Sequence, residues 1–487
     1  MMKKFVLPLL CVSAIGFMAC SSDDDSGNNN PVLPPTSSFV DPTSATPTSS
    51  ATPTGSETPI SNAVPTTSAN IPSTPQSGTY ATLASAVNPT AAATLFASWK
   101  TGHFSLLEYE KTTVYPSVVD QMDEIFSAAY VPAGRILWSV QTGGYKNACT
   151  ISDAAVSNMK SRACTVSEGI GYGMLLATFQ NDTEMFNRLW NYNRAFRAYN
   201  VSSNLMPWLV KGFTYIIPDE SSATDADLDI ATSLVLMYYK TKQDMYLNDA
   251  LLIINDLWKE EVDQSSLMLL SGNTSMWNGK GAYEITYNLS YFSPVALRLF
   301  AEVDKSHNWN GVLDAMYTYM AKVQAGGTGV FPDWSNGAGV AVNPPNQSAG
   351  TTAASYTWHT FNKESVRIPW RIAWDYYWYQ DSRAAAVLKT LNDFIVAKSG
   401  GDPNSSALAT NYSWNLSVGA DKSGSVVSSH WYGAWCATGI GTNAQWLNAC
   451  TQGLNAKTVS NNSTSYFPDI LLTMYSQLLN GAIVKPF

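Results

Sequence analysis

Three acidic stretches carry the side chains most able to do chemistry. The first is TVSEGIGYGM, residues 165–174, where one carboxylate, Glu168, stands among small residues just ahead of an apolar run. Two readings of Glu168 stand side by side. Ser167 could cap a helix, with Glu168 in the first turn favouring the positive end of the helix dipole. Alternatively, the small neighbours leave room for a substrate to reach an acid. The second stretch, ATDADLDIATSLVL, alternates Asp225, Asp227 and Asp229 at a helix start. A calcium loop of this kind needs Gly at its sixth position and Glu at its twelfth, but Ile230 and Leu236 stand there. Thr224 or Asp225 could cap the helix, yet capping needs one acid and three so close repel. The third stretch, FNKESVRIPWRIAWDYYWYQDSRA, holds Glu364 and Asp375 beside Arg367 and Arg371. Pro369 suits the first turn of a helix, which puts Glu364 on the preceding loop, within a ligand's reach. Asp375 lies inside that helix and could pair with Arg371 at i,i+4.

Other chemistries find little footing. The four histidines, His103, His307, His359 and His430, form no H-E-x-x-H, and the chain has no G-x-S-x-G and no P-loop. GIGYGM lacks the last glycine of a dinucleotide loop, because Met174 occupies its place. No C-x-x-C suggests zinc or redox work, so no metal and no cofactor are expected. The net charge is −9 and only 13% of residues are charged, against about 25% in average usage. With no basic stripe, nucleic acid is not an expected partner. The 16 Trp and 25 Tyr are high counts; some must be core, yet flat rings also suit the apolar faces of sugars.

Helices must position these side chains. Apolar residues at three- and four-residue spacing, such as Ile230, Leu234 and Met237, predict helices near 92–102, 170–180, 184–198, 226–241, 246–258, 293–303, 311–324, 370–379, 382–397, 441–453 and 467–480. Loops rich in Gly, Asn, Ser and Pro separate them. No regular alternation of strand and helix is present. An all-α domain of about a dozen helices with long loops at one end points to an α/α toroid.

SEGIGYGM, ATDADLDIATSLVL and the R-x-P-W-R-I-A-x-D-Y run resemble glycoside hydrolase family 8, as do FNRLWNY, LMPW, SYFSP and YFPDILLTMYSQLLNG, in family order from about 90 to 485. The resemblance implies an (α/α)6 barrel and an inverting, endo-acting hydrolase of β-1,4-glucan, either cellulose or mixed-linkage glucan. A chitosanase or xylanase of the same family is the alternative, and a non-catalytic glucan-binding protein is a third reading. It implies that Glu168 is the general acid and that Asp225 holds the distorted sugar. The family's base Asp stands three residues before the Arg of R-x-P-W-R; Glu364 stands there in this chain. Asp375 is the alternative base. Trp208 and Tyr291 match cleft-lining positions, with Tyr172, Trp277, Trp370 and Tyr466 as further substrate-binding candidates, and Arg367 matches a cleft arginine. Inversion needs a protonated acid on the leaving oxygen and an ionised base holding water on the other face, about 6.5–9.5 Å away. Glu168 must therefore have a raised pKa, against the pull of a helix N-terminus, through burial or a neighbouring carboxylate such as Asp225.

The chain opens MMKKFVLPLLCVSAIGFMAC, two lysines before a short apolar run that ends at small residues and Cys20. Residues 1–19 read as an export signal of lipoprotein type, with Cys20 as the lipidation site; plain secretion is the alternative. Residues 20–79, rich in Pro, Ser and Thr, read as a disordered tether, and residues 80–487 as the catalytic domain. In an oxidising compartment the close pairs Cys149–Cys164 and Cys436–Cys450 are the natural disulfides, with two other connectivities open. A monomer acting on polysaccharide is expected, touching membrane only through the anchor.

Overall fold

The computed structural model describes residues 81–487 except 111, 113–125, 127, 139–148, 150–161, 199–202, 212–214, 217–220, 280–282, 346–357, 417–421, 424–428 and 463. The expected signal, Cys20 and tether lie outside the described residues.

Twelve helices of nine residues or more occur among the described residues: α1 (Pro89–His103), α2 (Ser167–Phe179), α3 (Thr183–Arg197), α4 (Thr224–Thr241), α5 (Asp244–Glu260), α6 (Pro294–Val303), α7 (Trp309–Ala325), α8 (Ile368–Tyr379), α9 (Ser382–Ser399), α10 (Ser429–Ala437), α11 (Ala444–Leu454) and α12 (Tyr466–Leu479). Each of the eleven expected helices is present. Only α10 lacked a forecast, because nine residues reading SHWYGAWCA show little periodicity.

The even-numbered helices form a closed inner ring: α2 packs on α4, α4 on α6, α6 on α8, α8 on α10, α10 on α12, and α12 back on α2. Each has an outer partner, α3, α5, α7, α9, α11 and α1 respectively. This is an (α/α)6 barrel, with the first helix completing the outer layer against the last. Sequence character follows the layer. Every residue of α2 and all but Pro468 of α12 are buried, as expected of helices enclosed on all sides. In the outer helix α5 only one face is buried, with Tyr246, Ala250, Ile253 and Leu257 at helical spacing.

Capping also follows the layer. Five outer helices begin on a side chain that accepts a first-turn amide: Asn88, Asp182, Asn308, Asp381 and Asn443. The inner helices α2, α4, α6, α8 and α12 have no such cap. Connections from inner to outer helices are tight, three residues after α2 and two after α4 and α8. Lys242 and Gln380 adopt left-handed backbone there. Outer-to-inner connections are long, so the long loops gather where the inner helices begin. Short antiparallel ladders brace those loops: Thr165–Val166 pairs with Leu209–Lys211, and Thr360–Phe361 with Asn411–Ser413. Strands of two or three residues are too brief to give a period-two pattern.

Both expected disulfides are formed, Cys149–Cys164 and Cys436–Cys450. The first ends one residue before the strand that leads into Glu168; the second staples α10 to α11.

Candidate active site

The candidate residues collect at the N-terminal ends of the inner helices. Glu168 is the second residue of α2, Asp225 the second of α4, and Tyr466 the first of α12. Tyr291 closes a 3-10 turn just before α6, and Glu364 opens the 3-10 turn Ser365–Arg367 that runs into α8. Pro369 takes the first turn of α8, as its fixed φ favours.

The capping readings of the first two acids do not hold. Val166 occupies the N-cap of α2 and makes no side-chain cap, while the Ser167 hydroxyl is buried without a partner. Ala223, rather than Thr224 or Asp225, is the N-cap of α4. Both carboxylates instead turn to one cation. Arg367 Nη1 donates to Glu168 Oε2 and to Asp225 Oδ2, the latter at 2.9 Å, and Nη2 donates to Glu364 Oε2. These four side chains are between 1% and 5% exposed. One guanidinium thus gathers three carboxylates from three separate acidic stretches, with Glu168 and Glu364 on its opposite arms.

Each acid has a further donor or neighbour. Tyr466 donates its hydroxyl to Glu168 Oε1 at 2.9 Å. Asn288 Nδ2 donates to Glu364 Oε2 at 2.7 Å, so both of that carboxylate's donors fall on one oxygen. Burial pushes the Glu168 carboxyl up to about 7; Arg367 and Tyr466 oppose this, and Asp225 and Glu364 add to it. Desolvation of the charged form outweighs the helix N-terminus, and the like-charged neighbours reinforce it. Glu364 is also raised, chiefly by burial, against Arg367 and Asn288.

The remaining acids of the second stretch have separate roles. Asp229, one turn below Asp225 on the same face, takes a two-pronged pair from Arg371 at 2.7 and 2.9 Å. Asp227 points elsewhere and accepts the Met206 amide at 3.0 Å, fixing the LMPW segment.

Asp375 is corrected. Its expected partner Arg371 is engaged by Asp229, and Asp375 instead accepts from Arg298 Nε at 2.6 Å and from the Tyr317 hydroxyl at 2.6 Å. It is fully buried, two turns and about 12 Å further along α8 than Arg367. It is an anchor between helices, away from the carboxylate cluster.

The small residues around Glu168 also have a different use. A Cβ at Gly171 would lie 3.0 Å from Asp229 Cβ and 3.1 Å from the Ala226 carbonyl oxygen, and one at Gly173 would lie 2.8 Å from Leu189 Cδ1. The glycines let α2 approach its neighbours closely rather than clearing space for a ligand.

The aromatic candidates divide. Tyr291 is half-buried, with the Arg367 guanidinium 5.4 Å from its ring centre. Tyr172 packs edge-on to Trp370 and beneath Arg371, and its hydroxyl is buried without a partner. Trp208 joins the segments before α2 and α4: its carbonyl accepts from Ser167 and its amide donates to Ser221. Trp370 is core, its indole donating to the Met474 carbonyl in the α8–α12 contact. Trp277 is buried in a stack on Trp334, ring centres 5.3 Å apart. Two contributors escaped the sequence reading. Asn288 lies two residues before the SYFSP run, which pointed to Tyr291 and not to the amide ahead of it. Asp333, in FPDW, is a lone acid in a loop.

A ring of twelve helices with convergent carboxylates at one end defines a class of hydrolase-like barrels, and comparison with known proteins narrows it. The family model described as Glycosyl hydrolases family 8 matches residues 137–474. Endoglucanase 2 of Ruminiclostridium josui is 33% identical over 245 residues, covering 49% of this chain and 48% of that protein. A beta-glucanase of Niallia circulans is 29% identical over 341 residues, covering 66% and 78%. The structure of a beta-1,3-1,4-glucanase from Paenibacillus sp. X4 superposes with a TM-score of 0.62 at 22% identity, covering 84% and 96%. The chain spans about half the length of several curated relatives it matches, the R. josui protein among them. The chain belongs to glycosyl hydrolases family 8.

Proposed function

We propose that the protein is an inverting, endo-acting hydrolase of β-1,4-linked glucan, cellulose or mixed-linkage β-glucan. The observation that carries this is the Arg367 cluster, which gathers Glu168, Asp225 and Glu364 and leaves the first two acids free of any capping duty. The relatives named endoglucanase and beta-glucanase support the choice of glucan.

In this reading Glu168, raised to about 7, carries the proton that the glycosidic oxygen takes as its bond to the anomeric carbon breaks. Glu364 holds the attacking water and takes its proton. Its two donors both lie on Oε2, and that fixes the carboxylate without engaging Oε1. Asp225, held by the Arg367 arm that also holds Glu168, accepts from a hydroxyl of the sugar at the cleavage point. Tyr291, carrying Arg367 on its face, is the aromatic best placed to meet a sugar. The test is reducing-sugar release from carboxymethylcellulose, barley β-glucan, xylan and chitosan, with proton NMR of the first product. Initial α-anomer from the glucans is expected. Initial β-anomer would overturn inversion; release from xylan or chitosan alone would overturn the substrate. Glucan affinity without cleavage would make this a binding protein.

We further propose export and surface tethering through Cys20. The lipoprotein-like start and two disulfides, which form in oxidising compartments, support it. Mass spectrometry of the mature protein should find an acylated Cys20 as its first residue; a free, unacylated protein would refute this.

A further inference from the structure

Asp333 lies in the loop after α7, 1% exposed. Its Oδ1 accepts three hydrogen bonds from the segment that carries Glu364: the Asn362 amide at 3.1 Å, the Ser365 amide at 2.9 Å and the Ser365 hydroxyl at 2.8 Å. Its own amide donates to the Thr360 carbonyl at 3.0 Å. Asp333 therefore grips the chain on both sides of residue 364. The Ser365 hydroxyl also accepts the Asn362 amide at 2.8 Å, which closes the turn.

The second oxygen, Oδ2, is buried with no hydrogen-bond partner. A bare anionic oxygen in that position would be costly, and protonation replaces the charge with a much less costly neutral hydroxyl. The neighbouring acid differs. Glu364 has the Arg367 cation and the Asn288 amide on Oε2. Of the two carboxyls, the one with a cation stays ionised and the one without takes the proton. Burial and the nearby Glu364 charge push Asp333 up to about 8, in agreement with this division.

We propose that Asp333, as a neutral acid, is a positioning residue for the general base: it clamps the 360–365 turn so that the Glu364 carboxylate faces the attacking water. The inference rests on the reading of Glu364 as base. It also accounts for a glutamate at a position where the family resemblance implies an aspartate. A side chain longer by one methylene has one more rotatable bond, and its backbone must be held to keep the carboxylate in place.

The test separates Asp333 from general structural effects by bypassing the base. In Glu364→Ala, azide can replace the activated water. The C1–N bond forms as the glycosidic C1–O bond breaks, and Glu168 protonates the departing oxygen. Three results are expected. Asp333→Ala should lower kcat on β-glucan roughly 100-fold with KM changed less than about twofold, the scale of a misplaced catalytic group. Asp333→Asn, which keeps a neutral side chain with an accepting Oδ1, should retain at least about ten times the kcat of Asp333→Ala. In the Glu364→Ala background, Asp333→Ala should change the azide-supported rate less than about twofold, because the group it positions is absent. Ser365→Ala, which removes one donor of the same cradle, gives the answer if Asp333→Ala does not fold; its kcat should fall roughly tenfold with the same indifference under azide. An equal loss in the azide-supported rate would overturn the positioning role while leaving Glu364 as base. A Glu364→Ala enzyme that stays active, or that azide does not restore, would remove Glu364 as base and the proposal with it.

Discussion

Replacing Glu168 by Gln tests the site through two independent quantities. The amide keeps the shape, with its one oxygen still accepting from Arg367 and its NH2 turned to the Tyr466 hydroxyl, but it has no acidic proton to give. General acid catalysis contributes roughly 100- to 10,000-fold, so kcat on β-glucan should fall by about that factor. On an aryl cellotrioside with a dinitrophenolate leaving group, which departs without protonation, the loss should be much smaller. The second quantity is stability against pH. The carboxyl titrates near 7 in the folded protein and near 4.5 unfolded. A folded pKa above the unfolded one means the native state binds the proton more tightly. The favourable contribution is complete below about 4.5 and is lost as pH rises through about 7. The difference of about 2.5 pH units corresponds to about 3 kcal/mol of stability lost on going from pH 4 to pH 9. Glu168→Gln has no such proton to lose. Denaturant unfolding should show the variant gaining on the native protein by up to about 3 kcal/mol between pH 4 and pH 9, although it is nearly inactive. Near-normal turnover of β-glucan would remove Glu168 as acid. Parallel stability profiles for the two proteins would show that its carboxyl is not held protonated by the fold.

Four further outcomes follow from the same contacts. Arg367→Ala should destabilise the fold by about 3–5 kcal/mol in denaturant unfolding, because three buried carboxylates lose their shared cation. Glu364→Asp withdraws the carboxylate from Asn288 and the Arg367 arm, so kcat should fall by about 100-fold in steady-state assays even though it restores the residue type that the family resemblance implies. Asp375→Asn should leave the pH–rate profile in place while thermal unfolding shows a loss of about 3 kcal/mol, as the buried Arg298 pair is broken. Gly171→Ala should cost about 1–3 kcal/mol in denaturant unfolding, since α2 must move away from Ala226 and Asp229.

The ring itself was legible in the chain because helical period is a local property: the spacing of Ile230, Leu234 and Met237 is visible without knowing what they face. Ring closure was not, because it depends on α12 meeting α2 across about three hundred residues and α1 across almost four hundred. Glu168, Asp225 and Glu364 were legible for a related reason. Each lies in a motif that carries the family resemblance, whereas position alone left capping open, because an acid in a first helical turn obeys the local preference for negative charge there. Their convergence on Arg367 was not readable, since nothing in the spacing of residues 168, 225, 364 and 367 fixes which acid a long cation will choose. The same blindness explains Asp375: i,i+4 spacing to Arg371 is a sound local argument, but Asp229 offers that guanidinium a two-pronged partner from another helix. Asp333 is the harder case. It conforms to every local rule for a loop acid, and its importance arises only because Oδ1 receives three donors from a segment thirty residues away while Oδ2 receives none. A group of that kind can be found only by asking where each buried hydrogen bond goes, and that question has no answer until the chain is folded.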